Sequence, residues 1–204
     1  MGPPILYKQK KKKNTQATPT GKPIAMTVSK LQITVRRATL SDAQYIAKMG
    51  AHVFTDTFGH SVSNEDLQSY LSEAYTPEAV ARDIADPDKK MIVATDDDDV
   101  IRGFVAVGGG SSDDPCLEDL ERTAELHRLY VDVSAHGRGI GSLLVRSIEQ
   151  IAKEAGVENI WLGVWEENYK AIKMYERWGY RTVGDHDFCL GAAVQKDYIM
   201  IKAL

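Results

Sequence analysis

Only two cysteines, Cys116 and Cys189, occur in 204 residues. Two thiols with no paired spacing argue against a disulfide framework or a cysteine-bound zinc, and a reducing, cytoplasmic compartment is the expectation. No apolar run approaches the ~20 residues that span a bilayer, and no apolar h-region precedes a small-residue cleavage site. A membrane partner is therefore not expected. The histidines at 52, 60, 127, 136 and 186 show neither His-Glu-x-x-His nor Cys/His spacing, which leaves no metal constellation. No Gly-x-Ser-x-Gly elbow supports a nucleophilic triad.

Charge is unevenly spread. The net charge is −4, but residues 1–25 hold six lysines and no acid, so residues 26–204 carry 19 basic and 29 acidic side chains, a net of −10. An acidic body repels nucleic-acid phosphates and concentrates cationic ligands. Nucleic acid is disfavoured as a partner for that reason and for want of a recognition motif. Residues 1–30, rich in Lys, Pro, Thr and Gln without periodicity, read as a flexible basic tail. Residues 31–204 read as one domain, since the composition, 43% hydrophobic and 26% charged, is that of an ordinary globular chain.

Strand and helix patterns alternate through that domain. Ile33–Val35 reads as a strand, and Ser41-Asp42 open a helix whose apolar positions continue to Phe54. Helices are expected at Asn64–Ala74 and after Thr76-Pro77, where Pro suits the first helical position. Met91–Thr95 and Val100–Val107 read as strands joined by a solvated tip, Asp96–Asp99. A turn-rich loop over 108–122 leads to a strand at Ala124–Val133, a glycine turn, and a helix at Ser142–Ala155 stopped by Gly156. Asn159–Trp165, Tyr169–Trp178, 183–190 and 197–203 follow as strand, helix and two closing strands. The order predicts an α/β (α+β) fold with helices packed on the faces of one mixed sheet.

The stretch His136-Gly137-Arg138-Gly139-Ile140-Gly141 carries the chemistry. Its glycines remove the Cβ atoms that block close approach to backbone. Amides at the start of the following helix then converge, and the helix dipole adds positive potential. The site suits a phosphate or pyrophosphate, but it is neither a Walker A loop nor Gly-x-Gly-x-x-Gly, because Leu144 stands where the third glycine belongs.

With the motifs on either side of it, this stretch resembles the GNAT family of N-acetyltransferases. The turn resembles the family's Gln/Arg-x-x-Gly-x-Gly/Ala motif through Gly139 and Gly141, with His136 in place of Gln or Arg. Asn168-x-x-Ala171-x-x-x-Tyr175-x-x-x-Gly179-Tyr180 resembles its later helix. The resemblance implies a central sheet of about six to seven strands with a V-shaped opening between two parallel strands, 124–133 and 159–165. It implies acetyl-CoA as cosubstrate, its pantetheine arm along Leu129, Tyr130 and Val131. Its pyrophosphate would lie on His136, Gly137, Arg138, Gly139, Ile140, Gly141, Ser142 and Leu143, with Asn168 and Tyr175 also against it. Tyr175 would protonate the departing thiolate, since a tyrosine O–H is a neutral donor at pH 7. An alkyl ammonium attacks only after losing a proton. Glu125 occupies the position of the family's general-base glutamate, and His127, two residues on along the same strand, is placed to relay a proton.

Phe54-Thr55-Asp56-Thr57-Phe58, Ile160–Asn168 and His186-x-Phe188 are similar to PaiA-type polyamine acetyltransferases. That likeness implies a small amine acceptor such as spermidine or spermine, met by Asp56, Glu65 and Trp165, with Asp66 and Glu73 as further carboxylates. A protein or peptide amine, or a non-catalytic acetyl-CoA-binding regulatory module, are the other readings. A homodimer is compatible with the resemblance.

Overall fold

The computed structural model describes residues 32–109, 114–191 and 193–204; the basic stretch 1–30 lies outside them. Seven strands form one sheet: β1 (Thr34–Arg37), β2 (Lys90–Thr95), β3 (Ile101–Gly109), β4 (Thr123–Val131), β5 (Asn159–Trp165), β6 (Arg181–Leu190) and β7 (Ala193–Ala203). Their spatial order is β1-β2-β3-β4-β5-β7-β6. Only the β4–β5 pair is parallel; the remaining pairs are antiparallel. The mixed sheet of the expected size is therefore present.

Helices cover both faces. On one side α4 (Ile140–Glu154) lies over β2, β3 and β4. Its Ile140, Leu144, Val145, Ile148 and Ala152 are buried with Val105, Val107, Leu126, Ile160 and Leu162. Helix α5 (Tyr169–Arg177) contributes Tyr175 to the same core. The 3.6-residue spacing of α4's apolar positions gives one buried stripe, and each fully buried aliphatic side chain contributes roughly 1.5–3 kcal/mol.

On the other side α1 (Ala43–Phe58) and α3 (Pro77–Ala85) cover Met91, Val93, Phe104 and Ala106. Helix α2 (Asn64–Ala74) joins an aromatic cluster with Phe54, Tyr75 and Leu190. Local sequence sets these starts. Ser63 Oγ accepts from the Asp66 amide at 3.1 Å, and Thr76 Oγ1 accepts from that of Ala79 at 3.1 Å, one residue before Pro77.

Several bounds differ from the sequence reading: β6 and β7 start earlier, at Arg181 and Ala193, α4 starts at Ile140, and α1 runs on to Phe58. Strand β4 stops at Val131 because Asp132 accepts from the Ser134 amide at 2.8 Å and starts a 3-10 turn, Val133–Ala135. Gly108 and Gly109 extend β3 instead of opening the loop. The Asp96–Asp99 tip is solvated only in part. Asp96 is buried and accepts from the amides of Asp98 and Val100 and from Arg102 Nε at 2.6 Å, which organises the hairpin from within.

Candidate active site

The site begins where a ladder stops. β4 and β5 pair only at Thr123–Asn159, Ala124–Ile160 and Glu125–Trp161. Beyond them β4 stays with β3 and β5 stays with β7, so the parallel strands diverge and leave the V-shaped opening.

A bulge shapes its β4 wall. Arg128 opposes Ala106 and Leu126 opposes Val107, which leaves His127 as the extra residue. An inserted residue shifts the alternation of faces. Leu126 and Leu129, three apart, thus both pack toward α4, while Tyr130 packs toward α1 and α3. Gly108 makes the bulge possible: a Cβ there would stand 2.7 Å from His127 Nε2. The structure brings Glu125 and His127 together, Oε1 to Nδ1 at 3.4 Å, each about one-third exposed.

Behind the bulge lies a network that the sequence did not reveal. Arg128 Nη1 donates to Asp83 Oδ2 at 2.8 Å, and its guanidinium lies 5.0 Å from the Tyr75 ring centroid. The Tyr75 and Tyr130 hydroxyls share a hydrogen bond of 2.8 Å. Burial raises both phenol pKa values, so both rings are neutral at physiological pH.

On the α4 side, Gly137 and Gly139 have φ of +76° and +79°, and a Cβ on either would meet no protein atom within 4 Å. Gly139 is the N-cap of α4, and no side chain caps that helix. Its first amides have no intrahelical partner, so backbone is presented at an open surface suited to an anion. Arg138 is exposed at its edge. His136 is turned away: Nε2 donates to the Val131 carbonyl at 3.0 Å, bracing the turn against the end of β4. Ser142 Oγ accepts from Trp178 Nε1 at 3.0 Å. Its own hydroxyl proton is thereby left for another acceptor, and the start of α4 is tied to the end of α5.

Tyr175 stands between these parts. Its ring packs edge-on against Trp178 and Tyr180, each at 5.6 Å between centroids. Burial pushes its pKa up, so it stays protonated well past neutrality. Its hydroxyl bonds no described residue yet is not sealed from solvent, since among the described residues no buried side-chain polar atom lacks a partner. Asn168 Oδ1 caps α5 by accepting from the Ala171 amide at 3.2 Å.

On the opposite face, Trp165 packs against Phe58 and His60 at 5.8 and 5.7 Å between centroids. Asp56 is paired with His52 at 3.4 Å on the outside of α1, Glu65 is exposed in the first turn of α2, and among the described residues no hydrogen bond, ion pair or ring contact joins either to Trp165. Asp66 is engaged by Ser63 Oγ at 2.8 Å, and Glu73 is exposed. A carboxylate that does come close to the β5 backbone is that of Asp197, whose Oδ2 would stand 3.2 Å from a Cβ at Gly163. Gly163, a glycine inside a strand, was the signal for such a close approach. Among the described residues no group of His, Cys, Asp and Glu is placed to hold a metal, and no helix is long and apolar enough to cross a membrane.

The structure thus offers a splayed parallel pair, an uncapped helix start open to an anion and a tyrosine hydroxyl with no bond among the described residues. The model of the Acetyltransferase (GNAT) family matches residues 60–180, and the chain belongs to that family: it is an N-acetyltransferase. An uncharacterized N-acetyltransferase from the pepI 3′ region of Lactobacillus delbrueckii subsp. lactis is 30% identical over 162 residues, 79% of this chain and 91% of the relative. A shorter match is to a Bacillus subtilis subsp. natto protein named "Probable spermine N(1)-acetyltransferase", 31% identical over 80 residues, 39% of this chain and 49% of that one. Among solved structures, the PaiA N-acetyltransferase of Thermoplasma acidophilum in complex with coenzyme A has a TM-score of 0.67 at 22% identity, covering 85% of this chain and 99% of that one.

Proposed function

We propose that the chain transfers an acetyl group from acetyl-CoA to a primary amine that bears further positive charge, a polyamine such as spermidine or spermine. What supports this reading is that Glu125 and His127 lie together on β4 where it parts from β5, while Tyr175 packs in the core on the α4 side of the sheet. The donor supplies an acetyl thioester, and the residues suited to hold it are the open glycine turn, the uncapped start of α4 with Ser142, and the free edge of β4 at Leu129–Val131.

Glu125, with His127 beside it, takes a proton from the acceptor ammonium. The freed nitrogen forms a bond to the thioester carbonyl carbon as the carbon–sulfur bond breaks, and it then loses its second proton to solvent to leave a neutral amide. Tyr175 gives its proton to the departing sulfur and regains one from solvent. The acidic body and the shorter relative's name support the polyamine acceptor.

Thiol release measured with spermidine, a monoamine and a lysine peptide tests the reading. Spermidine is expected to give the highest kcat/KM, and Glu125→Gln to lower kcat about 100-fold or more. Preference for the peptide would overturn the polyamine acceptor alone. Wild-type turnover in Glu125→Gln would remove Glu125 as base.

A further inference from the structure

Gly163 is exposed in the middle of β5, between the buried Leu162 and Val164. Ile160, Leu162 and Val164 pack toward α4. Alternation therefore puts Gly163 on the other face, in line with Trp161 and, one strand over, Glu125. What comes close there is polar. A Cβ at 163 would stand 3.2 Å from Asp197 Oδ2 and 3.4 Å from His186 Nε2.

Register brings these groups together, since Asp197 lies opposite Trp165 in β5 and opposite His186 in β6. They are held differently. His186 Nδ1 donates to Asp114 Oδ2 at 3.0 Å, which fixes the ring and leaves Nε2 toward β5. The Asp197 carboxylate has no hydrogen-bond partner among the described residues, although it is half-buried. Burial moves its pKa up, and the charge of His186 only partly opposes this. Leaving a half-buried carboxylate unpaired is costly, and a cation bound there would offset the cost. Aromatic rings gather nearby: Tyr70 of α2 stacks on Phe54 at 4.6 Å and meets Phe188, two residues along β6 from His186, at 6.5 Å between centroids. Such rings suit a methylene chain.

We propose that Asp197 binds a second ammonium of the acceptor, over the bare backbone at Gly163, so that the enzyme selects diamines and longer polyamines over monoamines. The site rests on the acetyltransferase reading above and sharpens its acceptor. Glu125 serves the nitrogen that is acetylated. Asp197 serves a nitrogen further along the chain, for Glu125 sits beside Trp161, one strand repeat of about 7 Å before Gly163.

Initial rates with putrescine and with butylamine, at saturating acetyl-CoA, separate this role from a structural one. Wild type is expected to favour putrescine. Asp197→Asn keeps shape and removes charge; it should raise the putrescine KM about tenfold or more, a loss of ~1.4 kcal/mol or more, and leave the KM values of butylamine and acetyl-CoA unchanged. Gly163→Ala keeps the charge and fills the space, and should raise the putrescine KM as well. An equal effect on both amines, or none on either, overturns the site while the transferase reading stands. Calorimetry with putrescine in the presence of CoA covers the remaining case. A wild-type protein that neither acetylates nor binds putrescine overturns this site together with the polyamine acceptor.

Discussion

Replacing Tyr175 by Phe separates catalysis from stability unusually cleanly. The substitution deletes one hydroxyl and keeps the ring that packs on Trp178 and Tyr180 at 5.6 Å. A typical intramolecular hydrogen bond is worth about 0.5–1.5 kcal/mol. The Tyr175 hydroxyl makes none with a described residue, so that loss does not arise. Stability should stay within about 0.5 kcal/mol of wild type, which for a domain of this size is a Tm change of about 1–2 °C. Activity should fall far more. Losing a general acid costs a factor of about 10²–10⁴, equivalent to ~3–5 kcal/mol of barrier. Thiol release and thermal unfolding, run on the same preparation, read the two quantities side by side. A kcat within about threefold of wild type would refute the acid role. A Tm drop near 10 °C would refute the unbonded hydroxyl.

Three further outcomes follow from other parts of the molecule. Gly139→Ala forces a side chain into φ +79°, costing about 1–2 kcal/mol and roughly 2–8 °C of Tm; its Cβ meets no protein atom and enters the anion cradle, so acetyl-CoA KM should rise, and an unchanged KM would contradict the cradle. Arg128→Met leaves Asp83 with Lys89 alone, 2.6 Å away, and should lower stability by about 2–4 kcal/mol in urea unfolding. Asp42 titrates below the usual carboxylate range, mainly because Arg36 bonds it, against the opposing effect of burial and with help from the Thr39 amide. Its folded pKa lies below the unfolded one, so its stabilisation is present above about pH 4 and is lost as pH falls through the folded value. Asp42→Asn should therefore melt below wild type at pH 7, with the difference shrinking in scans below about pH 4.

Much of this architecture could be read from local signals. Pro77 behind Thr76 marked the start of α3, and the apolar stripe of α4 placed that helix within two residues of its bounds. The glycine turn could be read as an anion-suited helix start from its own residues, whereas the role expected of Tyr175 came from the family resemblance. The bulge at His127 was not legible, because nothing in Leu126-His127-Arg128 marks it; the space it needs is left by Gly108 on another strand. The burial of Asp96 was hidden in the same way, since an acidic run looks solvated until Arg102 is folded back on it. Asp197 and His186 meet only through the β5-β7-β6 register, and that long-range pairing leaves no trace in either strand's own composition. Asp56 and Glu65 have the charge an ammonium needs; what their helices add is the pairing of Asp56 with His52 and the exposure of Glu65 at the start of α2.

The three paired positions between β4 and β5 also make the sheet two half-sheets joined by a short seam. Four strands lie on one side and three on the other, and only Thr123–Glu125 stitch them directly to Asn159–Trp161. Past the seam, the molecule carries two exposed strand edges in its middle, where most sheets keep edges at the margin. Such edges are templates for any extended amide-bearing chain that fits between them. Those backbone amides of β4 beyond Glu125 that face away from β3 should therefore exchange hydrogen faster than those bonded to it, until a donor is bound.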